Sequence, residues 1–241
     1  GGIGNTTLTQ YIYKEVEDHF EVKIWVCVSL NFNVYRLTEE IEKLIPKLDE
    51  EGKGNPLTDQ EKKGPDKLIE QRLKHKKFLL VLDDMWNCGS EDEWKRLLLP
   101  FIKGQKKGSI ILVTTRFPAL AEMVKTSDYA IPLEGLRHDM FWRLFIVYVF
   151  GDEQSGNDHS DLLETGEKIV KKLKGSPLAA KTVGRLLRNR LDLDHWTRVL
   201  ESKEWESQSG EHDIVPALKL SYDYLPFHLQ QCFTYCALFP E

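Results

Sequence analysis

The chain has 241 residues, room for one large domain or two to three small ones, and its 41% hydrophobic content supports a real core and excludes a disordered class. With 38 acidic against 33 basic residues the formal net charge is −5, which gives nucleic acid no long-range attraction and excludes it as an expected partner. Cys27, Cys88, Cys232 and Cys236 form no dense framework, and neither a signal peptide nor an apolar run of membrane-spanning length is visible, so the expected setting is reducing and cytoplasmic.

The first residues, Gly1-Gly2-Ile3-Gly4-Asn5-Thr6-Thr7-Leu8, read as the end of a phosphate loop, G-x-x-x-x-G-K-[ST], with Asn5 where lysine should stand. The glycines let backbone N–H groups close around phosphate oxygens, and a helix beginning near Thr6 aims its positive end at the same place. Thr6 is then the hydroxyl for Mg²⁺. Asn5 can donate a neutral hydrogen bond but supplies no cation. Read singly, the segment is equally a Gly-rich turn before a helix. The motif's first glycine and the strand feeding the loop would precede Gly1, there is no initiator methionine, and Glu241 follows an apolar run directly, so the expectation is a fragment of a longer chain.

Apolar, β-branched runs at Val22 to Val28, Phe78 to Leu82, Ile110 to Thr114 and Ala130 to Leu133 predict buried parallel strands. Helical patterns at about Leu37 to Leu48 and Thr58 to Leu73, the second opened by the capping pair Thr58 and Glu61, lie between the first two, with a polar surface loop at Asp49 to Pro56. This βαβ order predicts an α/β fold with a doubly wound parallel sheet whose first strand is missing. After Leu136 the pattern turns helical. His138 to Phe150 stops at Gly151, and His159 to Lys174 stops at Gly175 with Pro177 beyond. Further helices are expected at Leu178 to Arg190 and His195 to Leu200, and a new apolar block starts near Asp213.

Three segments carry candidate chemistry. Phe78-Leu79-Leu80-Val81-Leu82-Asp83-Asp84-Met85-Trp86 is a buried strand ending in two acids, and ligands of open α/β sheets sit at the carboxyl ends of strands. Asp83 suits a Mg²⁺ that keeps most of its water shell, and Asp84 could orient or deprotonate an attacking water. The bland alternative is a strand ending in a solvated turn. Ile110 to Arg116 delivers an arginine to the same sheet edge, where it could sense a γ-phosphate or be an ordinary surface residue. Gly175-Ser176-Pro177-Leu178-Ala179 by itself is a helix stop followed by a helix start.

Taken in order, these segments, with Leu136 to Phe145 and the Cys232 to Pro240 block, resemble the plant NB-ARC family, the nucleotide-binding module of intracellular disease-resistance receptors. The resemblance covers essentially the whole chain, and Trp86 with the Cys232 to Pro240 block looks like the coiled-coil class. It implies a P-loop NTPase fold with a nucleotide-binding α/β subdomain over 1–135, a helical subdomain over 136–206 and the start of a winged-helix subdomain over 207–241. It implies a switch that holds ADP when off and ATP when on. By the same resemblance Gly2, Gly4, Asn5, Thr6 and Thr7 line the phosphates, Thr6 and Asp83 hold Mg²⁺, Arg116 senses the γ-phosphate, and Pro177 and Leu178 pack near the adenine. The implied partners are the receptor's own coiled-coil and leucine-rich-repeat domains, other copies on activation, and a pathogen effector or guarded host protein reached indirectly. Two positions depart from the family pattern: Asn5 replaces lysine, and Ser176 replaces leucine. Enzymatic turnover is at most slow ATP hydrolysis impaired by Asn5. The alternative is a degenerate module that no longer cycles and acts as an interaction partner or decoy.

One signal fails on geometry. His228, Cys232 and Cys236 recur every four residues, but on a helix the outer two stand about 12 Å apart along the axis, too far for one zinc ion. Buried core cysteines are expected instead. The acids Glu204, Glu206, Glu211, Asp213 and Asp223 argue that the winged-helix part packs against protein and not DNA.

Overall fold

A computed structural model describes residues 2–30, 32–47, 64–103, 105–128, 130–154, 159–207 and 214–239. The chain divides into two compact units, Asn5–Ile131 and Gly1–Gly4 with Pro132–Glu241.

In the first unit β1 (Val22–Ser29), β2 (Phe78–Met85) and β3 (Ile110–Thr115) form a parallel sheet in the order β1-β2-β3. The central place of β2 follows from its sequence, because a strand apolar at every position needs cover on both faces. Phe78, Leu80 and Leu82 enter a core with α2 (Val34–Leu44), α3 (Pro65–Leu73), α4 (Glu91–Ile102) and α5 (Pro118–Val124). Leu79 and Val81 face the other way, against Phe20, Trp25 and Leu112 and against Tyr13 and Val16 of α1 (Asn5–Val16). The expected α/β class therefore holds, with helices on both faces of the sheet.

Local chemistry explains where the elements differ from expectation. Helix α2 starts three residues earlier than its apolar pattern suggests, capped by Asn33, whose side chain accepts the Arg36 N–H at 3.0 Å. It ends at Leu44, and Ile45 is extended ahead of Pro46, as a residue before proline prefers. Helix α4 was not foreseen, although its signal stands in the sequence: Ser90 caps it by accepting from the Glu93 N–H at 3.2 Å, and Trp94, Leu97 and Phe101 bury one face. Helix α3 begins at Pro65; the pair Thr58 and Glu61 and the loop Asp49 to Pro56 lie outside the described residues. Ala130 to Leu133 is a correction, since no strand forms there. Ile131 is 80% exposed, so the short apolar run lacks the burial that a strand on this sheet would give it.

The second unit is helical: α6 (His138–Phe150), α7 (Ser160–Lys172), α8 (Pro177–Arg188), α9 (Leu193–Leu200), α10 (Val215–Asp223) and α11 (Phe227–Cys236). Phe141, Phe145, Ile169, Val183, Leu187 and Trp196 anchor its core, whereas Met140 of α6 is exposed. Gly184 lets α8 approach α6, because a Cβ there would stand 2.8 Å from Tyr148 Cβ. Cys232 and Cys236 are exposed and free, contrary to the core reading: α11 touches Tyr222 and Asp223 through Gln230, Phe233 and Thr234, and none of its residues is buried. Among the described residues no helix is long and apolar enough to cross a membrane.

Candidate functional site

The two acids of β2 sit on a β-bulge. Leu82 pairs with Val113 and Met85 with Thr115, so β2 spends three steps where β3 spends two. The extra residue falls at Asp83-Asp84, and Asp84 takes a left-handed φ of +52°, which aspartate tolerates better than most residues. The side chain of Thr114 fills the gap in the ladder. Its Oγ1 accepts the Asp84 N–H at 2.8 Å and donates to Asp83 Oδ1 at 2.6 Å. Asp83 is thereby held almost wholly buried at the carboxyl end of the sheet, with no hydrogen bond to its Oδ2 among the described residues.

Asp84 points its carboxylate at Arg116. The guanidinium donates through Nε at 3.1 Å and through the second terminal nitrogen at 3.4 Å, a two-pronged pair. The same guanidinium lies 4.6 Å from the Trp86 ring centroid, and Phe117 meets Trp86 edge-on at 6.1 Å. The expected γ-phosphate sensor is thus held at the sheet edge by one acid and one aromatic face. Trp86 Nε1 is buried without a hydrogen-bond partner among the described residues.

Helix α1 brings the end of the expected phosphate loop to these strands. Thr6 Oγ1 donates to Asp83 Oδ1 at 3.2 Å, so the hydroxyl and the carboxylate expected to share a metal are neighbours. Asn5 Nδ2 donates to the Thr115 carbonyl at 3.3 Å, a structural tie from the helix start to the end of β3. Thr7 is exposed in the same turn. The donor set fits Mg²⁺: a hydroxyl and one carboxylate are hard oxygen ligands, few in number, which suits an ion that retains water.

The remaining expected residues lie in the helical unit. Gly2 and Gly4 have φ of +73° and +106°, which glycine adopts without strain. Gly2 is clamped to the start of α8: its carbonyl accepts the Leu178 N–H at 3.2 Å and the Ser176 hydroxyl at 3.3 Å. Pro177 occupies the first turn of α8, where its missing N–H costs nothing. Ser176 also accepts the Ala179 N–H at 3.4 Å, so the residue that replaces leucine caps the helix and fastens the glycine loop. Sequence reasoning missed Thr114 and the positive use of Ser176. An S-P start was a readable cap signal, whereas a strand threonine facing a bulge leaves none.

The NB-ARC domain family model matches residues 1–155. The chain is 37% identical over 244 residues to Disease resistance protein RGA2 of Solanum bulbocastanum, an alignment covering all of this chain and 24% of that protein. It is 34% identical over 248 residues to Disease resistance RPP13-like protein 4 of Arabidopsis thaliana, covering all of this chain and 28% of the relative. The chain therefore spans about a quarter of the length of the curated relatives it matches.

Proposed function

The chain belongs to the NB-ARC domain family, and from that premise we propose that it is the nucleotide-operated switch of a plant disease-resistance receptor, off with ADP and on with ATP. The observation that carries this reading is the bulge at Asp83-Asp84, which sets a buried carboxylate beside the Thr6 hydroxyl and a fork-held arginine one strand away. Thr6 and Asp83 hold Mg²⁺, which supplies charge neutralisation at the outer phosphates. The N–H groups of Gly2, Gly4, Asn5, Thr6 and Thr7 take phosphate oxygens, and Pro177 and Leu178 take the base. Arg116 leaves Asp84 for a γ-phosphate, and the freed Asp84 orients or deprotonates a water. The released carboxylate and the recruited guanidinium make one coupled movement, so the chain distinguishes ATP from ADP at Arg116. Residues 136–206 and 207–241 act as the helical and winged-helix subdomains, in a cytoplasmic receptor that also carries coiled-coil and leucine-rich-repeat domains.

One observation favours the second reading, a non-cycling module that serves as a partner or decoy. Asn5 has no charge and already donates its amide to the Thr115 carbonyl. Purified protein, denatured and chromatographed, separates the two: ADP near one per chain supports the switch, while folded protein free of nucleotide supports the degenerate module.

A further inference from the structure

The helical unit contains a cavity of about 360 Å³ where α8, α9 and α10 meet, lined by Leu186, Asn189, Arg190, His195, Arg198 and Tyr224. Its chemistry is one-sided. Among the described residues the lining holds two guanidiniums and no carboxylate, in a chain whose acids outnumber its bases. Neither Arg190 nor Arg198 forms an ion pair among the described residues. An adjoining cavity of the same volume shares Leu186, Asn189 and Tyr224 and adds Leu178, Lys181 and Arg185, again with no acid among the described residues. Asp192, Asp194 and Asp223 neighbour the lining in sequence but line neither cavity, and the Asp192 carboxylate accepts the His195 N–H at 2.8 Å.

His195 supplies an independent sign. Its side chain is 97% buried, edge-on to Tyr224 with ring centroids 5.5 Å apart, and its Nε2 has no hydrogen-bond partner among the described residues. A buried polar atom left unpaired is costly, and its residue, His195, is one of those that line the cavity.

We propose that this cavity binds a phosphate-bearing small molecule. The guanidinium forks of Arg190 and Arg198 match phosphate oxygens two at a time, His195 and Asn189 add polar contacts, and Leu186 with Tyr224 form an apolar wall for the organic part. The volume lies in the range of small-molecule sites and is too small for a folded partner. Leu178, assigned to the base, does not line this cavity but does line the adjoining one; Leu186, the lining residue nearest to it in the chain, lies eight residues on, about 12 Å along the helix.

The test is a titration of inorganic pyrophosphate into this chain, followed by NMR at the His195 imidazole, whose signals are assigned by their loss in His195→Gln. Saturable shifts of His195 are expected, and the double variant Arg190→Gln with Arg198→Gln, changed at exposed positions, should weaken the response about tenfold or more. Pyrophosphate held at the glycine loop alone would leave His195 unmoved. The proposal is overturned if His195 does not respond at millimolar pyrophosphate or if the double variant responds like the parent. It is also overturned if hexaglutamate shifts His195 at lower concentration than pyrophosphate, which would make the cavity an acidic-peptide site.

Discussion

The hydroxyl of Thr114 lies 2.6 Å from Asp83 Oδ1 while accepting the N–H of Asp84, so one side chain both closes the β-bulge and fixes the buried acid. A hydroxyl can do both only because it donates and accepts at once.

Thr114→Val keeps the shape and removes both bonds, leaving a buried carboxylate and an N–H less satisfied. Unfolding by urea should show a loss of about 1–3 kcal/mol. The Mg²⁺ dependence of ATP binding should weaken as well, with Thr114→Ser restoring it. A valine variant that is less stable yet keeps its Mg²⁺ dependence would confine Thr114 to a structural role.

Asp83→Ala should weaken the Mg²⁺ dependence of ATP binding more than that of ADP, since a Mg²⁺ held by Thr6 and Asp83 would neutralise outer-phosphate charge, of which ATP carries more. Arg116→Ala should likewise act on ATP. Calorimetric titration with each nucleotide checks both, and equal losses for ADP and ATP would mean that neither residue reads the γ-phosphate.

Asn5→Lys exchanges a neutral donor for a cation. A hydrogen bond between charged groups contributes about 1.5–3 kcal/mol, against about 0.5–1.5 for a neutral one. Nucleotide binding should tighten about tenfold or more and hydrolysis should rise from near background. The tie to the Thr115 carbonyl is lost, so thermal stability without nucleotide should fall slightly. Parent protein that binds ADP as tightly as the lysine variant would show that another cation serves the phosphates, removing the main support for a degenerate module.

Gly2→Ala and Gly4→Ala separate strain from crowding. Both positions have positive φ, but a Cβ at Gly2 would stand 2.8 Å from both Leu178 Cβ and Ile214 Cδ1, while nothing lies within 4 Å of one at Gly4. Gly4→Ala should cost about 1–2 kcal/mol from backbone strain alone, and Gly2→Ala clearly more. Differential scanning calorimetry reads the difference; equal losses would show that the Leu178 contact yields freely.

The sheet and most helices were legible because their signals are local. Phe78 to Leu82 announces a strand covered on both faces, Gly151 and Pro177 stand at the observed end of α6 and start of α8, and Gly175 lies three residues beyond the end of α7 at Lys172. Helix α4 is equally legible in the cap Ser90 and the acidic first turn that follows it. The exposed Cys232 and Cys236 were misjudged because an apolar helical pattern records a capacity for burial, and burial itself needs a neighbour.

By itself the sequence determined the glycine-rich segment before a helix, the paired acids, the arginine that follows β3 and the asparagine at position 5, each written in contiguous residues. Only the tertiary structure decided what those groups do with one another. Thr114 meets Asp83 from 31 positions away, Asn5 reaches Thr115 across 110, and Ser176 fastens Gly2 across 174. Such bonds depend on the bulge that shifts β2 against β3 and on the close approach of a glycine loop to a capped helix. Those are properties of register and packing, which no local pattern of residue types encodes.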